Sequence, residues 1–93
     1  MNANIVTILD TLEKAQAMPN TPVPIKEETL VGFCTESLIG FNINASTNEG
    51  DYYDRRPTIE QVKSGFEMTM TVNGKFFEIK KNKVGTPCLY YRA

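Results

Sequence analysis

The sequence predicts a single α+β domain, with an N-terminal helix packed on an antiparallel sheet of about five strands. Three observations carry this. Apolar residues recur at helical spacing over the first seventeen positions. Strict two-residue alternation flanks an Asn-Gly pair near position 73. No further helix of comparable length separates the β-rich segments, so helix and strands form segregated layers. The length of 93 residues fits one domain spanning 1–93 and leaves no room for a second.

In the first element, Asn4 to Ala17, residues Ile5, Ile8, Leu9, Leu12 and Ala15 or Gln16 fall on one helical stripe, widened by Val6. Asp10, Glu13, Lys14 and Gln16 lie toward the other side. Asn2 or Asn4 can cap the start, its side-chain oxygen accepting from an orphan amide. Met18-Pro19 ends the helix, because the residue before proline disfavours helical geometry. Pro22 and Pro24 keep 18–25 extended as a connector.

Thr29 to Thr35 and Leu38 to Ala45 are rich in β-formers and read as strands joined by a turn at Glu36-Ser37. In the first, Val31 and Phe33 compete with Leu30 and Cys34 for the core. In the second, Ile39, Phe41 and Ile43 form the core face, alternating with Gly40, Asn42 and Asn44. Ser46 to Arg56 is the longest loop. Pro57 to Ser64 reads as a short extra helix, opened by Pro57 and ending before Gly65, or as a continuing strand.

Phe66, Met68, Met70 and Val72 alternate with Glu67, Thr69 and Thr71. Asn73-Gly74 supplies the positive φ values of a type I′ turn. A two-residue turn sets Val72 opposite Lys75, Met70 opposite Phe77, Met68 opposite Ile79 and Glu67 opposite Lys80. The apolar pairs then share one face and the charged pair takes the other. Asn82 to Pro87 turns the chain again. Cys88 to Arg92 is a last strand, with Cys88 and Tyr90 on one face and Leu89 and Tyr91 on the other. Lys75, Lys80, Lys81 and Lys83 around this hairpin read as a charged sheet edge.

Composition excludes several functions. Ten basic residues face eleven acidic ones, for a net charge of −1. Bulk nucleic-acid binding needs an excess of Lys and Arg, so nucleic acid is disfavoured as a partner. No apolar run is long enough to cross a membrane, and the N-terminus lacks a basic leader, so the expected location is cytoplasmic. Histidine is absent and there is no CxxC pair, so no zinc motif exists; a reducing compartment implies that Cys34 and Cys88 are free thiols, with a single disulfide between them as the alternative. The loop acids Glu49, Asp51 and Asp54 fit no calcium-loop pattern. No phosphate-binding glycine loop and no nucleophile–base arrangement appear. The expectation is a protein that is not an enzyme, with no catalytic residue, no metal and no cofactor.

What remains is binding. Tyr52, Tyr53, Asp54, Arg55 and Arg56 place tyrosine and arginine, the residue types enriched at interface hot spots, in an otherwise polar loop. Tyr91 and Arg92, beside Tyr90, form a second aromatic–basic set. With one helix to cover the sheet, one face is left for association with another chain, a second copy included. The expected function is contact with a protein partner, such as inhibition of a larger protein or complex. The alternative is an oligomer that sequesters a nucleotide-like molecule, stacked on tyrosine and paired with Arg55, Arg56 or Arg92.

Overall fold

The computed structural model describes residues 3–93. In chain order it contains α1 (Ala3–Ala17), β1 (Val23–Pro24), α2 (Glu27–Thr35), β2 (Phe41–Ser46), β3 (Tyr52–Tyr53), α3 (Ile59–Lys63), β4 (Glu67–Val72), β5 (Lys75–Lys81) and β6 (Pro87–Arg92). The strands form one sheet in the order β1-β6-β5-β4-β2-β3, antiparallel at every junction. The α+β reading holds, with six strands where about five are predicted.

The β4–β5 hairpin adopts the register that its turn chemistry dictates. Asn73 and Gly74 have φ of 50° and 83°, and Val72 faces Lys75, Met70 faces Phe77 and Met68 faces Ile79. Met68, Met70, Phe77 and Ile79 are all buried, together with Leu89 opposite Ile79. Because β5 has neighbours on both sides, its lysines do not guard an edge. Lys75 reaches Gln16 of α1 at 2.8 Å, Lys80 lies over the Tyr90 ring, and Lys81 donates to the Lys63 carbonyl.

Helix α1 follows its apolar stripe. Ile8, Leu12 and Ala15 are buried against β6, β1 and α2, while Val6 and Leu9 on the stripe's flank stay exposed. Asn2, the first candidate cap, lies outside the described residues, and Asn4 falls inside the helix. The 18–25 connector does more than span a gap. Asn20 N–H donates to the Tyr91 carbonyl and Ile25 N–H to the Pro87 carbonyl, with Val23 opposite Leu89 and Pro24 opposite Cys88. It is an edge strand, and prolines 22 and 24 blunt that edge by removing donors.

The predicted strand Thr29–Thr35 is instead helix α2. Thr29, Leu30 and Phe33 point inward, a spacing of one and four residues that suits a helix packed by one side. Glu27 and Glu28 complement the positive end of the helix dipole. Thr35 accommodates its hydroxyl by donating to the Val31 carbonyl at 2.8 Å. The hairpin through Glu36-Ser37 therefore does not exist, and β2 pairs with β4 and β3. Strand β2 starts at Phe41, so Ile39 is fully exposed while Ile43 and Ala45 take the core positions with half-buried Phe41.

The loop Ser46–Arg56 is shorter than predicted. Tyr52 and Tyr53 fold back beside Ser46 and Ala45, and Thr47 N–H donates to the Asp51 carbonyl at 2.9 Å. Between 57 and 64 the helical reading holds as α3. Thr58 and Gln61 form a capping box, so Pro57 precedes the cap instead of opening the helix.

Helices and sheet make two layers, and the core lies between them: Ile8, Leu12, Leu30, Phe33, Val62 and the inward residues of the central strands. Gly40 and Gly74 share a left-handed conformation, at φ +85° and +83°, but not the same space. A Cβ at Gly74 meets nothing within 4 Å, whereas at Gly40 it would sit 2.5 Å from Asn73 Oδ1. Gly74→Ala is expected to cost about 1–2 kcal/mol through backbone strain. Gly40→Ala should cost more, and the excess should vanish when Asn73 is also changed to glycine. Chemical denaturation of the four proteins in this double-mutant cycle measures that coupling.

Candidate functional site

The two faces of the sheet have different fates. Residues of one parity meet the helices. Those of the other parity form a face that none of the described helices covers, and the registers order them in rows. One row runs Asn42, Thr71, Phe76, Arg92 across β2, β4, β5 and β6. The next runs Asn44, Thr69, Glu78, Tyr90. Beyond it, Tyr52, Ser46 and Glu67 lie at the β3 side, with Lys80 and Cys88 toward β1.

Aromatic and charged groups on this face are organised by one another. Arg92 Cζ lies 4.6 Å from the centre of the Tyr90 ring and Lys80 Nζ lies 5.2 Å from it. Arg92 Nε also donates to a Glu78 carboxylate oxygen. The guanidinium is therefore fixed by an ion pair and a π-face together. Phe76 and Tyr52 are 43% and 61% exposed, unusual for apolar rings on a sheet. Between them lies a shallow depression of about 370 Å³, floored by Asn42, Asn44, Thr69 and Thr71. Asn44 Oδ1 is buried there without a hydrogen-bond partner.

The aromatic–basic loop does not stay together. Tyr52 joins the open face. Tyr53, one residue on, turns to the opposite side, where its ring stacks on Phe66 with centroids 6.0 Å apart. Arg55 lies over the Tyr53 ring at 5.2 Å. Arg56 is half-buried and donates to the Glu36 carbonyl at the end of α2, where a cation suits the helix dipole. Asp54 is exposed. At the C-terminus, Tyr91 packs toward the helices against Phe77, with centroids 5.1 Å apart, while Arg92 lies on the open face. Of the residues singled out from sequence, the open face thus gathers Tyr52 and Arg92, and it adds Phe76, Tyr90, Asn42 and Asn44. Strand parity was the signal for Phe76 and Tyr90. The same alternation set Asn42 and Asn44 opposite the core face of their strand.

No family model, curated protein or solved structure matches this chain.

A second hollow, about 230 Å³, lies between the start of α2 and the β5–β6 turn, with Ile25, Leu30 and Pro87 in its wall. Its rim charges are engaged. Lys63 Nζ and Glu27 Oε1 are 2.8 Å apart, and this pairing holds the Glu27 carboxyl below and the Lys63 ammonium above their ordinary ranges. Among the described residues no three His, Cys, Asp or Glu side chains come together as a metal-ion site, and no helix is long and apolar enough to cross a membrane.

Both cysteines are free thiols. Burial pushes the Cys34 thiol up to about 11, against a smaller opposing pull from Arg56. Burial also raises Cys88. Cys34 is accordingly protonated at neutral pH and a poor nucleophile. Its alkylation by iodoacetamide at about pH 8 should be roughly a hundredfold slower than that of an unstructured cysteine peptide, the thiolate fraction lost with two pH units. The same shift gives a sign to alkaline stability. As pH rises past the ordinary thiol value, the unfolded chain ionises first, so stability conferred by the protonated thiol declines toward about pH 11.

Proposed function

We propose that this is a non-enzymatic binding protein that docks a partner protein on its uncovered sheet face and acts by occluding the partner's surface, as an inhibitor would. One observation carries the reading: the face has the composition of a protein interface and not of a nucleic-acid or lipid surface. Tyr52, Phe76, Tyr90 and Arg92 are rigid aromatic and planar cationic groups of the kind that dominate binding energy. Asn42, Asn44, Ser46, Thr69 and Thr71 surround them with adaptable hydrogen-bonding groups. The charges balance, Lys80 and Arg92 against Glu67 and Glu78. A polyanion would gain little from such a face.

The nucleotide-sequestering alternative finds less support. It relied on Arg55, Arg56 and Arg92, and each of these is held by a ring, a carbonyl or a carboxylate. A phosphate would have to displace those contacts.

Site-specific photo-crosslinking in the cells of origin tests the proposal. A photoreactive phenylalanine placed at Phe76 or at Tyr52 should capture one discrete protein, while the same group at Val84, exposed outside this face, should not. Equal capture from all three positions, or none from the face, would refute the docking surface. Capture of a second copy would make the partner the chain itself.

A further inference from the structure

We infer that the uncovered sheet face pairs with a second copy of this chain, about a two-fold axis that runs along the strands between β4 and β5; this rests on the docking face proposed above and names its occupant. The starting point is an asymmetry within the face. The half on β5 and β6 presents large side chains: Phe76, Glu78, Lys80, Tyr90 and Arg92. The half on β2 and β4 presents small ones, with Glu67 the exception. Asn42, Asn44, Thr69 and Thr71 there floor the depression of about 370 Å³, so the face is a ridge beside a hollow.

A surface of that form fits itself. An axis along the strands keeps each row and reverses the strand order, so β5 of one copy lies over β4 of the other and β6 over β2. Each ridge then enters the other copy's hollow. Phe76 meets Thr71 of the second copy, and Tyr90 meets Asn44. Glu67 lies beside Lys80 in its own chain, one step beyond Met68 opposite Ile79, and across the axis it meets Lys80 of the second copy. At the edge Tyr52, 61% exposed, meets exposed Pro24 of β1, which shares its row. Glu78 enters with Arg92 attached, so no carboxylate is covered without a cation. The other axis in the interface, across the strands, stacks ridge on ridge and sets Glu78 against Glu78. Charge and shape therefore both choose the axis along the strands.

Area sets the strength. The face spans roughly 25 Å by 20 Å, from the usual spacing of six strands and the rise of six residues. Two such faces bury about 1,000 Å², at the lower limit for a specific interface. That suits a reversible dimer, which another target of the face can displace.

The test is sedimentation equilibrium of the intact chain from about 1 to 500 µM, a range that spans the micromolar dissociation constant of a contact this small. The expected result is a monomer that becomes a dimer and nothing larger. Glu67→Lys and Lys80→Glu should each weaken the dimer at least about tenfold, because either one sets like charges together twice across the axis. An equimolar mixture of the two should recover wild-type affinity, since both cross-axis contacts are then of opposite sign. The neighbouring pair inside each chain is the same alone and in the mixture, so recovery reports the cross-axis contact and not the fold. Thr71→Trp fills the hollow that receives Phe76 and should prevent the dimer without lowering the melting temperature, because Thr71 is exposed. A monomer at every concentration, a dimer indifferent to all three substitutions, or no recovery on mixing would overturn the pairing. A monomer together with crosslinking of a different protein from Phe76 would leave the docking face standing and remove only the second copy as its occupant. A monomer with no capture from the face would remove the face as well.

Discussion

Replacing Phe33 by alanine is expected to cost about 3–5 kcal/mol, the range for deleting a fully buried aromatic ring. Phe33 is completely buried in α2, in the core with Leu30 and Val62. Domains of this kind are stable by about 5–15 kcal/mol, so the variant sits near the edge of folding. At about 4–8 °C per kcal/mol for a chain of this size, the melting temperature should fall by some 15–30 °C. Val31→Ala supplies the contrast. Val31 is only half-buried on the helix, and its truncation should cost about 1 kcal/mol or less. If the segment were a strand, Val31 and Phe33 would share a face and both would be costly. Denaturant melts of the two variants separate the arrangements, and comparable losses would refute the helix.

That contrast also locates the limit of what the sequence discloses. The β4–β5 hairpin was legible because turn chemistry and side-chain alternation are both local, and they agree on one register. Helix α1 was legible because fifteen residues give several turns of stripe. Helix α2 has nine residues, and Leu30, Val31, Phe33 and Cys34 fit a two-residue period almost as well as a helical one. Its β-branched Thr29, Val31 and Thr35 tilted propensity toward a strand. Burial of Phe33 and Leu30 against the core overrides that preference, and burial is a tertiary property. Strand β1 was hidden for a similar reason: its two residues are ordered by β6, some sixty-five positions away.

The proposed binding face was legible in part. Alternation already separated Tyr90 from Tyr91, and the structure keeps that assignment. In the segment 51–56 the residue types pointed to a patch, but its geometry depends on pairing with β2. Once Tyr52 and Tyr53 become strand, consecutive side chains must diverge to opposite faces. The apparent cluster is thereby split, and Arg55 and Arg56 follow Tyr53 to the helix side.

If the proposed docking holds, Phe76→Ala and Tyr90→Ala should each weaken the partner complex by about 2 kcal/mol or more, roughly thirtyfold in dissociation constant. Neither residue belongs to the buried core, so melting temperatures should change far less than for Phe33→Ala. Tyr90 carries the added effect of its position between Lys80 and Arg92. Without the ring, Arg92 keeps its ion pair with Glu78 but loses the surface that aligns it, so the loss should exceed that from contact area alone. Arg92→Ala is less clean, because it leaves the Glu78 carboxylate without its partner and disturbs the free protein as well. Leu9→Ala, exposed on α1, and Val84→Ala are the controls and should leave affinity unchanged. Salt separates this surface from an electrostatic one. With two positive and two negative groups on the face, affinity should change little as ionic strength rises, whereas a polyanion contact would weaken steeply. A steep salt dependence, or full affinity in both aromatic variants, would move the interface off this sheet.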